Sequence, residues 1–204
     1  MNRIITIGRE FGSGGRELGR RLAEALGCEY YDREIITQIA AHTSFSEEYV
    51  RQVMEGRAHR LYPITVGSSF SLVSGAHADM VRSVFEAQVQ TLRELAELSD
   101  CVIVGCCADY LLREQHPFRL FVYAEMDSRV QRCLARGEAG EKLSEAELRK
   151  RIRRVDRDRA RFYADCTGRT WGDRLNYELC VNTTGCEIKD IVPALERLIR
   201  AGDN

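Results

Sequence analysis

The first eighteen residues contain the feature that most constrains the fold, a β-branched run that leads through a glycine-rich loop into a helical pattern. The run contains Ile4, Ile5 and Ile7, and it is typical of a central parallel strand covered on both faces. The loop contains Gly12, Gly14 and Gly15. These glycines allow positive φ and a close approach of the backbone to a ligand. Because a helix that begins after such a loop offers unpaired N–H groups to an anion, the stretch predicts a phosphate-binding loop.

This loop departs from the P-loop pattern, which requires Gly, four residues, Gly, Lys and then Ser or Thr. With Gly15 at the second glycine, Glu10 takes the place of the first glycine, Arg16 that of the lysine and Glu17 that of the hydroxyl residue. Arg16 keeps the positive charge and can fork onto phosphate oxygens. Glu17 either contacts a magnesium ion or repels a triphosphate. The alternative is a glycine-rich turn that binds no ligand.

Composition narrows the class of protein. A chain of 204 residues suits one α/β domain with room for an inserted lobe. Its net charge of −1 gives no general case for nucleic-acid binding, and no apolar run is long enough to span a membrane. The eight cysteines show no C-x-x-C spacing and the four histidines no ligand spacing, so we expect reduced thiols, no metal–histidine site and a cytoplasmic location.

Strand and helix patterns alternate along the chain. Buried strands are expected near residues 4–7, 28–31, 101–105, 120–123 and 179–182. Long helical insertions follow the second and fourth strands, and one helix is expected over about 78–98, after a mobile segment at 57–77. This order predicts a right-handed, parallel, three-layer α/β/α sandwich. Such sheets bind ligands beyond the carboxyl ends of their strands, where the glycine loop, Asp32, Gly105 and Asn182 would meet.

A predicted helix over about 144–163 is rich in arginine. Four of its arginines recur at every fourth position and line one stripe: Arg149, Arg153, Arg157 and Arg161. Guanidinium groups suit phosphoryl transfer because they neutralise the charge on the equatorial oxygens of the transition state. The alternative is a solvated face paired with acidic neighbours. Together with the glycine loop, the stripe favours a mobile arginine lid that closes over phosphates.

Two pairs of residues follow predicted strands. Asp32 and Arg33 come after the second strand, where they either contact a substrate hydroxyl, base or phosphate or serve as a helix cap and an exposed arginine. Cys106 and Cys107 follow the third strand, and we interpret them as small packing residues rather than nucleophiles.

With these pieces in place, the chain resembles the cytidylate kinase-like family, a branch of the P-loop nucleoside monophosphate kinases. The resemblance covers nearly the whole chain, and the Gly-Ser-Gly-Gly-Arg-Glu loop is specific to this branch. The matching stretches are residues 4–7, 12–17, 30–36, 102–105, 108–111, 156–163, 167–168 and 171–173.

The resemblance implies a single domain over 1–204 with the P-loop kinase fold: a five-stranded parallel sheet, a helical substrate-binding insertion at about 38–98 and an arginine-rich lid at about 137–173. The residues expected to hold ATP phosphates are Gly12, Ser13, Gly14, Gly15, Arg16 and Glu17. Asp32 and Arg33 are expected at the substrate site, and Glu17 is a candidate magnesium ligand. Arg16 and the lid arginines Arg154, Arg157 and Arg161 are expected to act in catalysis.

Three functions remain open from the sequence. The first is phosphoryl transfer from ATP, with magnesium, to a nucleoside monophosphate such as CMP or dCMP. True cytidylate kinases resemble the full P-loop pattern, whereas this chain has Arg16, Glu17 and Leu18, and it has Cys106 where relatives carry arginine. The second function is therefore a nucleotide- or anion-binding sensor without catalysis. The third is a kinase for another small acceptor, with a pocket reshaped by 57–77. The oligomeric state is not predicted.

Overall fold

The computed structural model describes residues 2–32, 34–54, 70–136 and 143–202. Its strands are β1 (Ile4–Arg9), β2 (Glu29–Tyr31), β3 (Cys101–Val104), β4 (Phe118–Tyr123) and β5 (Leu179–Asn182). Its helices are α1 (Gly15–Leu26), α2 (Glu34–Thr43), α3 (Glu47–Met54), α4 (Phe70–Leu98), α5 (Ala108–Leu111), α6 (Met126–Ala135), α7 (Glu145–Thr167) and α8 (Ile188–Ala201). Short 3₁₀ turns lie at Arg113–Gln115 and Arg174–Asn176.

The five strands form one parallel sheet in the order β2-β3-β1-β4-β5. The first strand is central, with Ile5 paired to Val102 of β3 on one side and to Phe118 of β4 on the other. Helices cover both faces of the sheet, so the predicted three-layer parallel architecture is confirmed.

Alternate residues of β1 point into two separate cores, as the strand period requires. Ile5 and Ile7 pack with α1 and α8, through residues such as Leu22 and Leu195. Ile4 packs on the opposite face, where α2 to α5 and the end of α7 supply the apolar partners. Burial on both faces explains why the strand is a continuous apolar run rather than an alternating one.

The arginine-rich helix α7 is fixed at both ends. Its start has a capping box, in which Ser144 and Glu147 satisfy each other's backbone N–H groups. Leu148 and Ile152 are buried against α6, and Tyr163 is buried near the other end, in the core on one face of the sheet. The helix therefore forms a wall above the carboxyl ends of the strands.

The insertion after β2 differs in one element from the prediction. The long helix α4 begins at Phe70, earlier than the expected residue 78, so the second part of the segment predicted to be mobile is helical. Residues 55–69 lie outside the described part of the chain. In the ranges that the structure describes, no helix is long and apolar enough to cross a membrane.

Candidate active site

The glycine-rich loop joins β1 to α1 and has the backbone that the sequence predicts. Gly12 and Gly14 take positive φ values of 78° and 84°, and Gly14 is the N-cap of α1 without any side-chain cap. An L-residue would be strained in that conformation. Side chains are also excluded by contact, because a Cβ added to Gly14 would lie 2.5 Å from Ile188. The loop is therefore held close to the elements around it.

Side chains from three surrounding elements hold the carbonyl groups of this loop. Arg129 and Arg132 of α6 donate to the carbonyls of Phe11 (2.7 Å) and Gly12 (2.9 Å). Thr183, just after β5, donates to the carbonyl of Ser13 at 2.7 Å. In α7, Arg159 Nη1 donates to the carbonyl of Arg9 at 3.0 Å. Because C=O and N–H point in opposite directions across a trans peptide, the N–H groups that follow these carbonyls point away from the clamping residues.

Several loop N–H groups have no acceptor among the described residues, namely those of Gly12, Gly14, Gly15, Arg16 and Glu17. The last three belong to the first turn of α1, which cannot satisfy them within the helix. Together with the positive end of the helix dipole, they make a site that favours an anion. Ser13 is different, because its N–H and its hydroxyl both donate to the carbonyl of Glu10.

Two carboxylates approach the loop without occupying these donors. Asp156 of α7 accepts a hydrogen bond from the N–H of Phe11 at 2.7 Å, one residue before the free donors begin. Asp32, after β2, lies 2.8 Å from the Nε of Arg16 and 3.7 Å from a terminal nitrogen of Arg9. The structure thus brings the predicted residues Asp32 and Arg16 together.

A cavity of about 280 Å³ lies beside the loop, beyond the ends of β1 and β3 and beneath α7. Five guanidinium groups line it: Arg9, Arg16, Arg151, Arg154 and Arg159. Apolar and aromatic side chains form much of the remaining wall, including Phe11, Ile36, Met54, Val155, Phe162 and Trp171. Because Arg16 and Phe11 line the cavity but Gly12 to Gly15 do not, the cavity lies next to the loop rather than within it.

Arg9 lies in this site although its position was not predicted from the sequence, and the same holds for Arg151 and Arg159 of α7. The Nε of Arg9 is buried and has no hydrogen-bond partner among the described residues. Burial lowers the pKa of the Arg9 guanidinium, Asp32 opposes this shift, and the like charge of Arg16 adds to it. Burial and the charge of Arg9 likewise lower the pKa of Arg159 well below its usual value. An anion bound between these groups would relieve the cost of keeping them charged and buried.

The cavity also contains titratable groups that are not cationic. Asp109 of α5 is buried and accepts a hydrogen bond from the hydroxyl of Tyr163 at 2.7 Å. Burial raises the pKa of Asp109, and the bond from Tyr163 opposes the shift. Burial raises the pKa of the Cys106 thiol to about 12, so this sulfur stays protonated at neutral pH.

Of the three lid arginines expected from the sequence, one lines the cavity. Arg154 lines the cavity, although it is largely exposed, whereas Arg157 and Arg161 are exposed and lie outside the lining. Arg149, from the same stripe, pairs with Asp127 and Glu145. The roles of Arg154, Arg157 and Arg161 in catalysis stay predictions.

The candidate magnesium ligand Glu17 is engaged elsewhere. One carboxylate oxygen accepts from Arg21 Nε at 2.8 Å, and the other pairs with Arg136 of α6. The ranges described here contain no group of three or more His, Cys, Asp or Glu side chains that could hold a metal ion. Both carboxylate oxygens of Glu17 are thus paired with arginines, and its role as a magnesium ligand stays a prediction. Arg33 lies outside the described residues.

Comparisons with known proteins agree with this architecture. Residues 4–185 match the model of the cytidylate kinase-like family. No curated protein shows significant similarity to the sequence. Among solved structures, an uncharacterized protein from Eubacterium ventriosum aligns with a TM-score of 0.69 at 20% identity, over 97% of this chain and 98% of that one.

Two kinases of known activity share the fold at lower similarity. The shikimate kinase of Bacteroides thetaiotaomicron has a TM-score of 0.58 at 15% identity, over 98% of this chain and 99% of its own. The thymidylate kinase of Candida albicans has a TM-score of 0.51 at 12% identity, over 99% and 92%. At these identities the likeness shows the P-loop kinase fold alone.

Proposed function

The chain belongs to the cytidylate kinase-like family, and we propose that it transfers the γ-phosphoryl group of ATP to a nucleoside monophosphate, with CMP and dCMP as the first acceptors to test. The observation that carries the proposal is the place of Arg16. It lies in the first turn of α1, where the loop N–H groups are free, and its side chain lines the neighbouring cationic cavity. A guanidinium between the loop and the cavity can contact both the phosphoryl donor and the phosphoryl acceptor.

The two parts of the site suit the two substrates. The loop N–H groups would hold the phosphates of ATP, as helix N-termini hold anions. The cavity, at about 280 Å³, is at the small end of ligand pockets and suits one small acceptor rather than two nucleotides. Its aromatic and apolar wall would contact a base or ring, and its guanidinium groups would bind the acceptor's phosphate.

The reaction needs positioning and charge neutralisation more than covalent chemistry from the protein. Arg9, Arg16 and Arg159 would surround the transferring group, where negative charge develops on the equatorial oxygens. Magnesium would arrive with ATP as part of the substrate, held by the phosphates and water, as this ion prefers. We also propose that the protein works in the cytoplasm, where its thiols stay reduced.

A substrate panel with an ADP-release assay tests the proposal. The panel contains CMP, dCMP and other nucleoside monophosphates, with ATP and magnesium in each reaction. ADP release that depends on a monophosphate would support the kinase. Tight ATP binding by isothermal titration, without turnover on any acceptor, would contradict it.

That second result is the outcome expected of the alternative function, a nucleotide- or anion-binding sensor. The observation that favours the sensor is the ion pairing of the two residues that replace the P-loop lysine and hydroxyl. Arg16 pairs with Asp32, and Glu17 pairs with Arg21 and Arg136. A kinase requires the ion pair between Arg16 and Asp32 to open or to be shared when substrate binds.

The third possibility is a kinase for a different small acceptor. Solved structures with this fold include a shikimate kinase, so shikimate belongs in the panel. ADP release on shikimate alone would keep the ATP-dependent chemistry and replace nucleoside monophosphates as acceptors.

A further inference from the structure

Arg129 of α6 lies at a junction of three elements. Its side chain is only 6% exposed. The Nε donates to the carbonyl of Phe11 at 2.7 Å, Nη1 lies 3.0 Å from Glu10 Oε2, and Nη2 pairs with Asp156 of α7. One buried guanidinium therefore contacts the glycine loop at two residues and the arginine-rich helix at a third.

Asp156 completes the arrangement from the other side of the loop. Its Oδ1 accepts the N–H of Phe11 at 2.7 Å, while its Oδ2 pairs with Arg129. The N–H and the C=O of Phe11 are thus both fixed, and the two groups that fix them are bound to each other. Glu10 extends the network, because its Oε2 also accepts the N–H of Ala124 at the end of β4.

The charges of this junction matter for an anion bound nearby. Glu10 and Asp156 place two carboxylates next to the free N–H groups of the loop, and Arg129 is the guanidinium that contacts both. Burial raises the pKa of Glu10, and Arg129 opposes that shift. Without this guanidinium, Glu10 would lose its ion pair and Asp156 would keep the more distant Arg159 (3.8 Å), so excess negative charge would lie next to the site proposed for ATP.

We propose that Arg129 is a positioning residue for the ATP site. Together with Asp156 it fixes the backbone N–H and C=O of Phe11, so that the loop N–H groups are preorganised for a polyphosphate and the loop stays attached to α7. This inference rests on the proposed function only in taking ATP as the ligand of the loop. It assigns Arg129 no contact with substrate. Preorganisation of this kind lowers the ordering cost of binding.

The first test compares Arg129→Lys with Arg119→Lys. Lysine keeps the charge, but its single nitrogen lacks the planar fork with which Arg129 presents three separate nitrogens to a carbonyl and two carboxylates. Arg119 is a matched control, because its guanidinium forks onto Glu178 near the start of β4, away from the loop. We expect Arg129→Lys to weaken Mg-ATP binding, measured by isothermal titration, by about tenfold or more. The KM for the acceptor should change by less than about twofold, and Arg119→Lys should match wild type in both.

A second variant keeps the test decisive if Arg129→Lys fails to fold. Asp156→Asn preserves an oxygen that can accept the N–H of Phe11 but removes the charge that pairs with Arg129. We expect weaker Mg-ATP binding and an upfield shift of the Phe11 amide proton in NMR spectra, because a carboxylate acceptor is lost. In the double variant, the two losses in affinity should be far less than additive, since both act on one network.

The outcomes separate this inference from the proposed function. ATP affinity that is unchanged in folded Arg129→Lys, or in Asp156→Asn, would overturn the positioning role while leaving the kinase intact. Weakened ATP binding in variants of a protein that never turns over would support the positioning role and overturn the kinase. Wild-type protein that binds no ATP would overturn both.

Discussion

At the scale of single residues, the site depends on a small number of buried charges that share partners. Asp32 lies between Arg9 and Arg16. This one carboxylate neutralises part of the charge of a guanidinium cluster whose burial makes the charged form costly. A bound anion can replace that carboxylate or join it. The residues that surround an anion bound near Asp32 therefore determine both the affinity of that anion and the rate of any phosphoryl transfer.

Arg16→Ala tests the residue between the loop and the cavity directly. We expect turnover to fall by on the order of 10²-fold or more, because a donor to the developing charge is lost, while the melting temperature stays close to wild type. Arg20→Ala is the control, since Arg20 is an exposed arginine on the same helix and pairs, among the described residues, with Glu24 alone. Steady-state ADP release measures both variants, and unchanged turnover in Arg16→Ala would remove this residue from the mechanism.

Asp109→Asn tests the buried carboxylate through the pH dependence of stability. The pKa of Asp109 is raised in the folded protein, so ionisation of this carboxyl disfavours folding. The stability that the neutral carboxyl contributes to wild type is therefore lost as the pH rises through the raised pKa. Asparagine cannot ionise and can still accept from Tyr163. The variant should therefore gain stability relative to wild type as the pH rises above the ordinary carboxyl pKa of about 4, by on the order of 2–4 °C in melting temperature.

The control for this experiment is Asp165→Asn, which changes an exposed carboxylate of α7, the helix that carries the partner Tyr163. Its melting temperature relative to wild type should vary much less over the same pH range. A constant difference between Asp109→Asn and wild type at every pH would contradict the assignment of a raised pKa to Asp109.

At the scale of secondary-structure elements, the phase of α7 decides which arginines reach the cavity. Arginines lie on every side of this helix, so their four-residue spacing alone cannot indicate the inward face. The buried residues do indicate it, because Leu148, Ile152 and Tyr163 face α6 or the core. That apolar phase was the signal in the sequence that favours Arg159 over Arg157 as a cavity residue.

A pair of substitutions in α7 tests this phase. Arg159→Ala should lower turnover by on the order of 10²-fold, because the guanidinium lines the cavity and also holds the carbonyl of Arg9. Arg157→Ala, at an exposed position outside the lining, should leave turnover within about twofold of wild type. ADP release under saturating substrate measures both. Equal losses would contradict the docked orientation of α7 and would agree with the lid role predicted from the sequence.

At the scale of the whole molecule, local patterns predicted the elements better than they predicted the contacts between them. Strand-like runs in the sequence located the five strands of this sheet, and the three central strands β1, β3 and β4 carry the largely apolar, buried sequence expected of strands covered on both faces. Helix caps are local as well, since Ser144 with Glu147 begins α7 and Gly27 ends α1. The resemblance to the family then supplied the overall architecture, which the comparisons confirm.

The rest could not be predicted because it depends on residues distant in the chain. Asp156 reaches Phe11 across 145 positions, and Arg129 reaches the same residue across 118. No spacing rule connects such pairs. Arg9 was missed for a related reason, because only the packing of β1 against Gly105 and Gly15 shows that its side chain lies within the site.

The central claim is that the glycine loop holds a polyphosphate while the guanidinium groups of the cavity face it. A crystal structure with a non-hydrolysable ATP analogue and magnesium measures this directly, through the distances from phosphate oxygens to the backbone nitrogens of residues 12–17. The account predicts several such distances of about 3 Å, with Arg16 turned toward the terminal phosphate. A triphosphate bound elsewhere, with the loop N–H groups unoccupied and Arg16 still paired with Asp32, would contradict it.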